Sequence, residues 1–387
     1  MKNKIITVSF LVIIIGLFFV NLIKPDDAVS YSERRRLAQF PELSFQTLMD
    51  GKFSGGFDKY TVDQFFLREP FRALKMGFDR NILQKLDTNG LFRVGEDLFS
   101  IEYPLREDKV LSFGDKMTRL HSRYLEDMNI YYSIIPDKNY YLPDDWRYLT
   151  MDYARLEELV SDGMPSGARY IELFDVLTLE NYYNTDGHWR QETLGPVVDR
   201  LCGGMGVSSA FNPDNYERRE YNPFYGAYYG QSAGLSAPDT LVWLENEVTR
   251  DAILTGAVPS EDSYLLRYAT LSSAVLTKNA RSAPPVLTVY NEAGLGGMDS
   301  YDVYLHGSQP LITMTNTHND SGRELILFRD SFGSSLAPVL LENYSKVIVV
   351  DLRYIAPELL PWFIDFKDQD VLFMYSTIII NNSDIIR

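Results

Sequence analysis

Two short segments some 140 residues apart carry side chains suited to nucleophilic chemistry. Ser331 stands in Phe328-Arg329-Asp330-Ser331-Phe332-Gly333, where an apolar run gives way to a helical pattern. At the carboxyl end of a strand in an open parallel sheet, such a serine exposes its hydroxyl in the crevice where ligands bind. The N–H groups at the start of the following helix are free to face a developing oxyanion. A serine at this place also serves as an ordinary N-cap. Upstream, Asn184-Thr185-Asp186-Gly187-His188-Trp189 sets a carboxylate and an imidazole two residues apart. A carboxylate so placed can fix the imidazole tautomer and stabilise the imidazolium, the division of labour in Ser-His-Asp catalysis. Taken alone, the D-x-H spacing fits a surface loop as well, and with a further histidine it fits a metal site.

The elements that must hold these groups are legible in the hydrophobic periodicity. Glu324 to Phe328 and Val347 to Val350 read as buried strands, with a helix over Phe332 to Glu342 between them. This is a βαβ unit and predicts a parallel sheet in an α/β fold. Ile130 to Ile135, Ile171 to Leu177 and Val371 to Tyr375 read as further strands. Lys109 to Met128 reads as a helix, and Leu194, Val197, Val198 and Leu201 share one face of a helix after Trp189. Residues 26–100 read as helical, whereas 207–320 is polar, aromatic-rich and full of turn signals such as Asn212-Pro213, Pro284-Pro285 and Gly294 to Gly297. That stretch is too long for a loop and predicts an insertion or cap.

Softer candidates lie where substrate would approach. Arg353 and Tyr354 follow the second strand of the βαβ unit, and Lys138 follows Ile130 to Ile135, so all three are expected at the carboxyl edge. The Pro136-Asp137 context of Lys138 also fits a plain turn. Tyr221, Phe224, Tyr225, Tyr228 and Tyr229 form a ring cluster suited to stacking on sugars or to packing a core. Among the other histidines, His306 and His318 read as structural and loop residues, and His121 as a half-buried helix residue.

Composition narrows the field. The 387 residues carry Lys+Arg 37 and Asp+Glu 53, a net charge of −16, which argues against a nucleic-acid binder. The lone Cys202 permits no intrachain disulfide and no cysteine metal cage. Ile5 to Ile23 is uncharged, and 15 of its 19 residues are Ile, Leu, Val or Phe. As a helix it spans about 29 Å, close to a bilayer's hydrocarbon thickness. Lys2 and Lys4 precede it and Asp26-Asp27 follow soon after, so the N-terminus is expected in the cytoplasm and the rest outside, in a single-pass arrangement. The basic run Arg34 to Arg36 fits either lipid head groups or internal pairing.

Asp186-x-His188-Trp189 followed by Asp330-Ser331-Phe332 resembles the AlgJ/AlgX-type alginate O-acetyltransferases and their Gram-positive relatives, the DHHW family. The resemblance extends to Glu33-x-Arg35-x-Leu37-Ala38-x-Phe40-Pro41, Asp63-Gln64-Phe65 with Arg68, Pro136-Asp137-Lys138, Phe224-Tyr225-Gly226 and Val350-Asp351-Leu352-Arg353-Tyr354, covering about residues 30–375. Two positions depart: Gly187 stands where the family name records His, and Arg329 where related SGNH hydrolases carry Gly. The resemblance implies an SGNH-hydrolase-like α/β domain; together with the patterns above, this is expected over 101–387, with the insertion at about 207–320, after the transmembrane anchor (1–25) and the helical region 26–100. It implies that Ser331 is an acetyl-accepting nucleophile, His188 its general base and acid, and Asp186 the residue that orients His188. It implies a cell-surface or secreted polysaccharide as acceptor, a membrane-bound O-acyltransferase as donor partner, and no cofactor. Rival readings are a carbohydrate acetylesterase of the same fold and a non-catalytic polysaccharide-binding scaffold of an export complex.

Overall fold

The βαβ unit around Ser331 forms as its spacing predicts, at the centre of a seven-stranded sheet. The computed structural model describes residues 2–31, 33–142, 149–232, 236–257 and 288–387. Met1 of the predicted anchor and the Pro284-Pro285 turn lie outside the described residues. Numbering only the strands of the large sheet, these are β1 (Asn129–Ile135), β2 (Arg169–Tyr170), β3 (Ile253–Ala257), β4 (Leu311–Thr315), β5 (Glu324–Arg329), β6 (Lys346–Val350) and β7 (Asp370–Ser376). Their order is β2-β1-β7-β5-β6-β4-β3. Pairing is parallel from β2 to β6, and antiparallel where β4 meets β6 and β3. This is an α/β fold with a mainly parallel sheet.

Alternation along the strands divides the core between two faces. Leu325, Leu327, Val347, Val349, Leu372 and Met374 point to one side, against the helices Gly195–Met205 and Phe332–Leu340. Ile326, Phe328, Ile348, Val350, Val371 and Phe373 point to the other, against Glu107–Tyr124 and Tyr153–Gly163. Strands covered on both faces read as nearly unbroken apolar runs, which is why β5, β6 and β7 are visible in the sequence. Every residue of Phe332–Leu340 is buried, so the helix after Ser331 is fixed from all sides.

Three segments differ from the reading. Ile171 to Leu177 is not a strand, because the ladder with β1 stops at Tyr170 and the chain turns, with Glu172 accepting the Phe174 N–H at 2.7 Å. Its apolar residues still enter the core as irregular chain. The region 26–100 holds helices but ends in an antiparallel hairpin, Leu91–Val94 with Asp97–Ser100. Within 207–320, β3 and β4 join the far edge of the large sheet, so part of that stretch is built into the α/β layer. The helices at the N-terminal end are α1 (Lys2–Ile23), α2 (Lys52–Asp63) and α3 (Arg68–Asn81), with a five-residue turn of helix at Phe45–Met49. Among the described residues, α1 is the one helix long and apolar enough to cross a membrane.

Candidate active site

Because β1, β5, β6 and β7 are parallel, the residues after each of them gather at one carboxyl edge, the usual place for an active crevice. Ser331 follows β5 directly. It occupies the N-cap position of the next helix yet makes no side-chain cap bond. The job of securing this turn falls to Asp330, whose carboxylate accepts the Phe332 N–H at 3.0 Å and the Ser376 N–H at 2.7 Å. The Ser331 hydroxyl is therefore left for His188, with Oγ 2.7 Å from Nε2. The N-cap alternative is thereby overturned.

The other ring nitrogen of His188, Nδ1, lies 2.6 Å from Asp186 Oδ1. Asp186 Oδ2 accepts the Ala227 N–H at 2.7 Å and Nη1 of Arg34 at 3.2 Å. Burial of Asp186 would raise its pKa, but the His188 imidazole, the Arg34 guanidinium and the Ala227 N–H outweigh it and hold the carboxyl well below the usual range. Asp186 is thus an ionised acceptor with both oxygens engaged, the state needed to orient an imidazole and offset its positive charge. The imidazole is stacked on Tyr301, centroids 4.2 Å apart and planes 18° apart, and packs on Phe332 from another direction. Its side chain stays 19 % exposed, so solvent and ligands reach it.

The loop carrying this pair is held by a buried anchor that sequence reasoning missed. Asp239 accepts the N–H groups of Asn184 and Thr185 at 2.9 and 2.7 Å and the Thr185 hydroxyl at 2.6 Å. Trp189 donates from Nε1 to the Phe332 carbonyl and to Ser335, tying the loop to the helix after Ser331. Gly226 lies against this loop: a Cβ there would sit 2.3 Å from the Thr185 carbonyl oxygen and 2.6 Å from Asp186 Cβ. Gly187 is also closely approached, since a Cβ there would fall 2.5 Å from the Tyr228 hydroxyl.

The softer candidates divide. Lys138 is buried, and its ammonium donates to Asp97 and to the carbonyls of Leu98, Tyr183 and Asn184, with Phe99 beneath it. It is at the expected edge but is committed to joining the hairpin to the site loop, and so is corrected from a substrate contact to a positioning residue. Arg353 is held bidentately by Asp351 at 2.9 and 2.7 Å, with its guanidinium over Tyr354. Tyr354 and Tyr225 are each 36 % exposed and open to a ligand. Of the other rings in the cluster, Phe224 is wholly buried. Arg329 is also buried and turns inward onto Asp351 and the Asp330 carbonyl.

Two of the three arginines in the basic run near the N-terminus, Arg34 and Arg35, are internally paired, against the lipid reading for them. Arg34 bridges Asp186 and Asp299, and Arg35 grips Asp63 at 2.6 and 2.8 Å. Arg34 was not foreseen as part of the site. His306 and His318 lie elsewhere, bonded to Thr288 O and Asp251.

No protein-family model and no curated protein matches the sequence. Solved structures do. A DHHW family protein from Eubacterium siraeum superposes with a TM-score of 0.59 at 17 % identity, over 77 % of this chain and 94 % of that one. Bacillus cereus PatB1 does so at 0.54 and 14 % identity, over 77 % and 97 % of the two chains, and a second PatB1 structure carries a sulfonyl adduct. The O-acetyltransferase domain of Pseudomonas putida AlgJ aligns more loosely, at a TM-score of 0.41 and 12 % identity. The chain has the fold of the DHHW family protein and of PatB1.

Proposed function

We propose that this protein is a member of the DHHW group that acts as a membrane-anchored extracytoplasmic O-acetyltransferase on a cell-surface or secreted polysaccharide. The observation that carries the reading is the unbroken line from Ser331 Oγ through His188 to the ionised Asp186. Ser331 Oγ bonds the carbonyl carbon of an acetyl ester as its proton passes to His188 Nε2. The tetrahedral species collapses, the donor oxygen leaves with that proton, and acetyl remains on Oγ. A sugar hydroxyl then gives its proton to Nε2 and bonds the same carbon, and as the second tetrahedral species collapses Ser331 Oγ leaves with that proton, restoring the free serine and neutral His188. The Ser331 N–H at the helix N-terminus is our candidate oxyanion donor, and one such donor is typically worth ~3 kcal/mol of transition-state stabilisation. Tyr354 and Tyr225 offer exposed rings to the acceptor, and Arg353 stiffens Tyr354 from behind. Helix α1 serves as the anchor, and a membrane-bound O-acyltransferase is the donor partner we infer.

A second reading, acetylester hydrolysis, draws support from the exposure of His188, which leaves the acetyl-enzyme open to water. The test is a chromogenic acetyl ester with and without an oligosaccharide acceptor. Acetylated sugar supports transfer, and acetate alone supports hydrolysis. In cells, Ser331→Ala abolishes polymer acetylation if the enzyme transfers acetyl and raises it if the enzyme hydrolyses; in purified protein it abolishes labelling by a sulfonyl fluoride in either case, and unchanged labelling would reject both readings.

A further inference from the structure

Between Phe40 and Leu86 the chain shows water more apolar surface than anywhere outside α1. Fourteen large apolar side chains in these 47 residues are exposed, against ten among the described residues from 87 to 387. On α3 and just beyond it they fall in register: Phe71, Leu74, Phe78 and Ile82 recur at intervals of three and four, one face of a helix. The opposite face packs inward through Met76, and Arg72 reaches across to Glu33 and the Gly230 carbonyl. Soluble proteins seldom leave such a contiguous face open.

What covers it is indicated by its neighbour. Asn21, two residues from the end of α1, accepts the Phe66 N–H at 2.7 Å, and Gln64 exchanges hydrogen bonds with the backbone of Asp27. Ile14, Leu17, Phe18 and Asn21 of α1 line one cleft with Tyr60 and Phe65. At 1.5 Å per residue, Ile14 is about 13 Å from the end of α1. The α2–α3 turn therefore sits alongside the outer third of the apolar helix, not beyond it. Charge agrees: residues 36–86 carry 8 Lys and Arg against 6 Asp and Glu, in a chain of net charge −16.

We propose that α3, with the exposed apolar residues around it, is a monotopic contact lying in the outer-leaflet interface beside α1, its Phe71, Leu74, Phe78 and Ile82 face among acyl chains. This rests on the reading that α1 spans the bilayer, and its occupant is lipid. Amphipathic helices of this kind sit about 5–10 Å into the headgroup–acyl boundary. The contact fixes the height and tilt of the carboxyl-edge crevice over the membrane, because α3 is tied to the body through Arg72 and, by way of Glu33, to the ribbon that carries Arg34.

The test uses the full chain in nanodiscs of zwitterionic and anionic lipid. A polarity-sensitive fluorophore is placed at Leu74→Cys, Phe10→Cys or Arg119→Cys; Cys202 is buried and stays unlabelled. Lipids with a nitroxide high on the acyl chain should quench Leu74 by at least about half, the depth expected of an interfacial helix, and leave Arg119 on the α/β layer unquenched. Quenching at Phe10 without quenching at Leu74 would overturn the proposal while sparing the anchor. Absence of quenching at both would reject the anchor as well.

Discussion

Replacing Arg34 by Gln removes a guanidinium that lies 3.2 Å from Asp186 Oδ2 and leaves a neutral side chain of shorter reach. His188 Nδ1 is 2.6 Å from Oδ1 of the same carboxylate, so the guanidinium and a protonated imidazole face each other across one acid. Their charges are then roughly 7 Å apart, a repulsion of about 1–2 kcal/mol at an effective dielectric constant of ~20–40. Asp299 also pairs with Arg34 and shields part of that field, which favours the lower end. The sign follows directly: with the cation gone, protonated His188 is favoured. The general base is therefore lost at higher pH, and the acid limb of kcat/KM moves up by about half to one unit. The plateau falls less, since Ala227 still holds Asp186. The assay is kcat/KM for a chromogenic acetyl ester from pH 5 to 9, for wild type, Arg34→Gln and Arg34→Lys. Lysine restores the charge and should bring the limb back. A limb that does not move in a normally folded Arg34→Gln protein, or moves down, would refute the coupling.

Other outcomes are equally specific. Gly226→Ala drives a methyl into the Thr185 carbonyl and Asp186 Cβ and should lower kcat about a hundredfold, as expected for a ~1 Å displacement of a catalytic group; steady-state kinetics near wild type would contradict the packing argument. Lys138→Met leaves three carbonyls and Asp97 without their buried cation. Urea unfolding should show a loss of about 3–5 kcal/mol. Burial, with Asp137 nearby, pushes the Glu102 carboxyl up to about 7. The folded state then binds more protons than the unfolded state, so this group costs stability progressively as pH rises from about 4.5 to 7. Glu102→Gln should therefore raise stability at pH 8 by roughly 2–3 kcal/mol and leave it nearly unchanged at pH 4; equal melting shifts at both would exclude the assignment.

The parts of the fold that could be read from sequence are those where one physical pattern dominates. Strands β5, β6 and β7 are buried on both faces, so the apolar runs at Leu325, Val347 and Val371 announce them. The juxtaposition of Ser331, His188 and Asp186 is legible because few residue types suit nucleophilic chemistry. Ile171 to Leu177 misled because irregular chain crossing a core needs the same apolar residues as a strand. Lys138 misled because sequence gives its position at the edge, not the carbonyls that close around its ammonium. Arg34 stayed hidden for a different reason. In sequence it is the first of three arginines near a charged turn, and its partner is 152 residues away. Asp239, 54 residues from Thr185 in the loop it anchors, had no signal of its own.

Those hidden residues explain how an acid can be buried next to an imidazole without taking its proton. Asp186 is 1 % exposed, and desolvation alone would favour its neutral form. Three groups prevent this: His188 from the same loop and, from distant segments, the Ala227 N–H beside Gly226 and Arg34 on the ribbon that follows α1. These donors favour the ionised carboxylate over its protonated form. In the proposed acyl transfer, the proton taken from Ser331 stays on His188 Nε2 until a leaving or attacking oxygen carries it away. The ionised state of Asp186 is thus tied to Arg34, on the ribbon that follows α1.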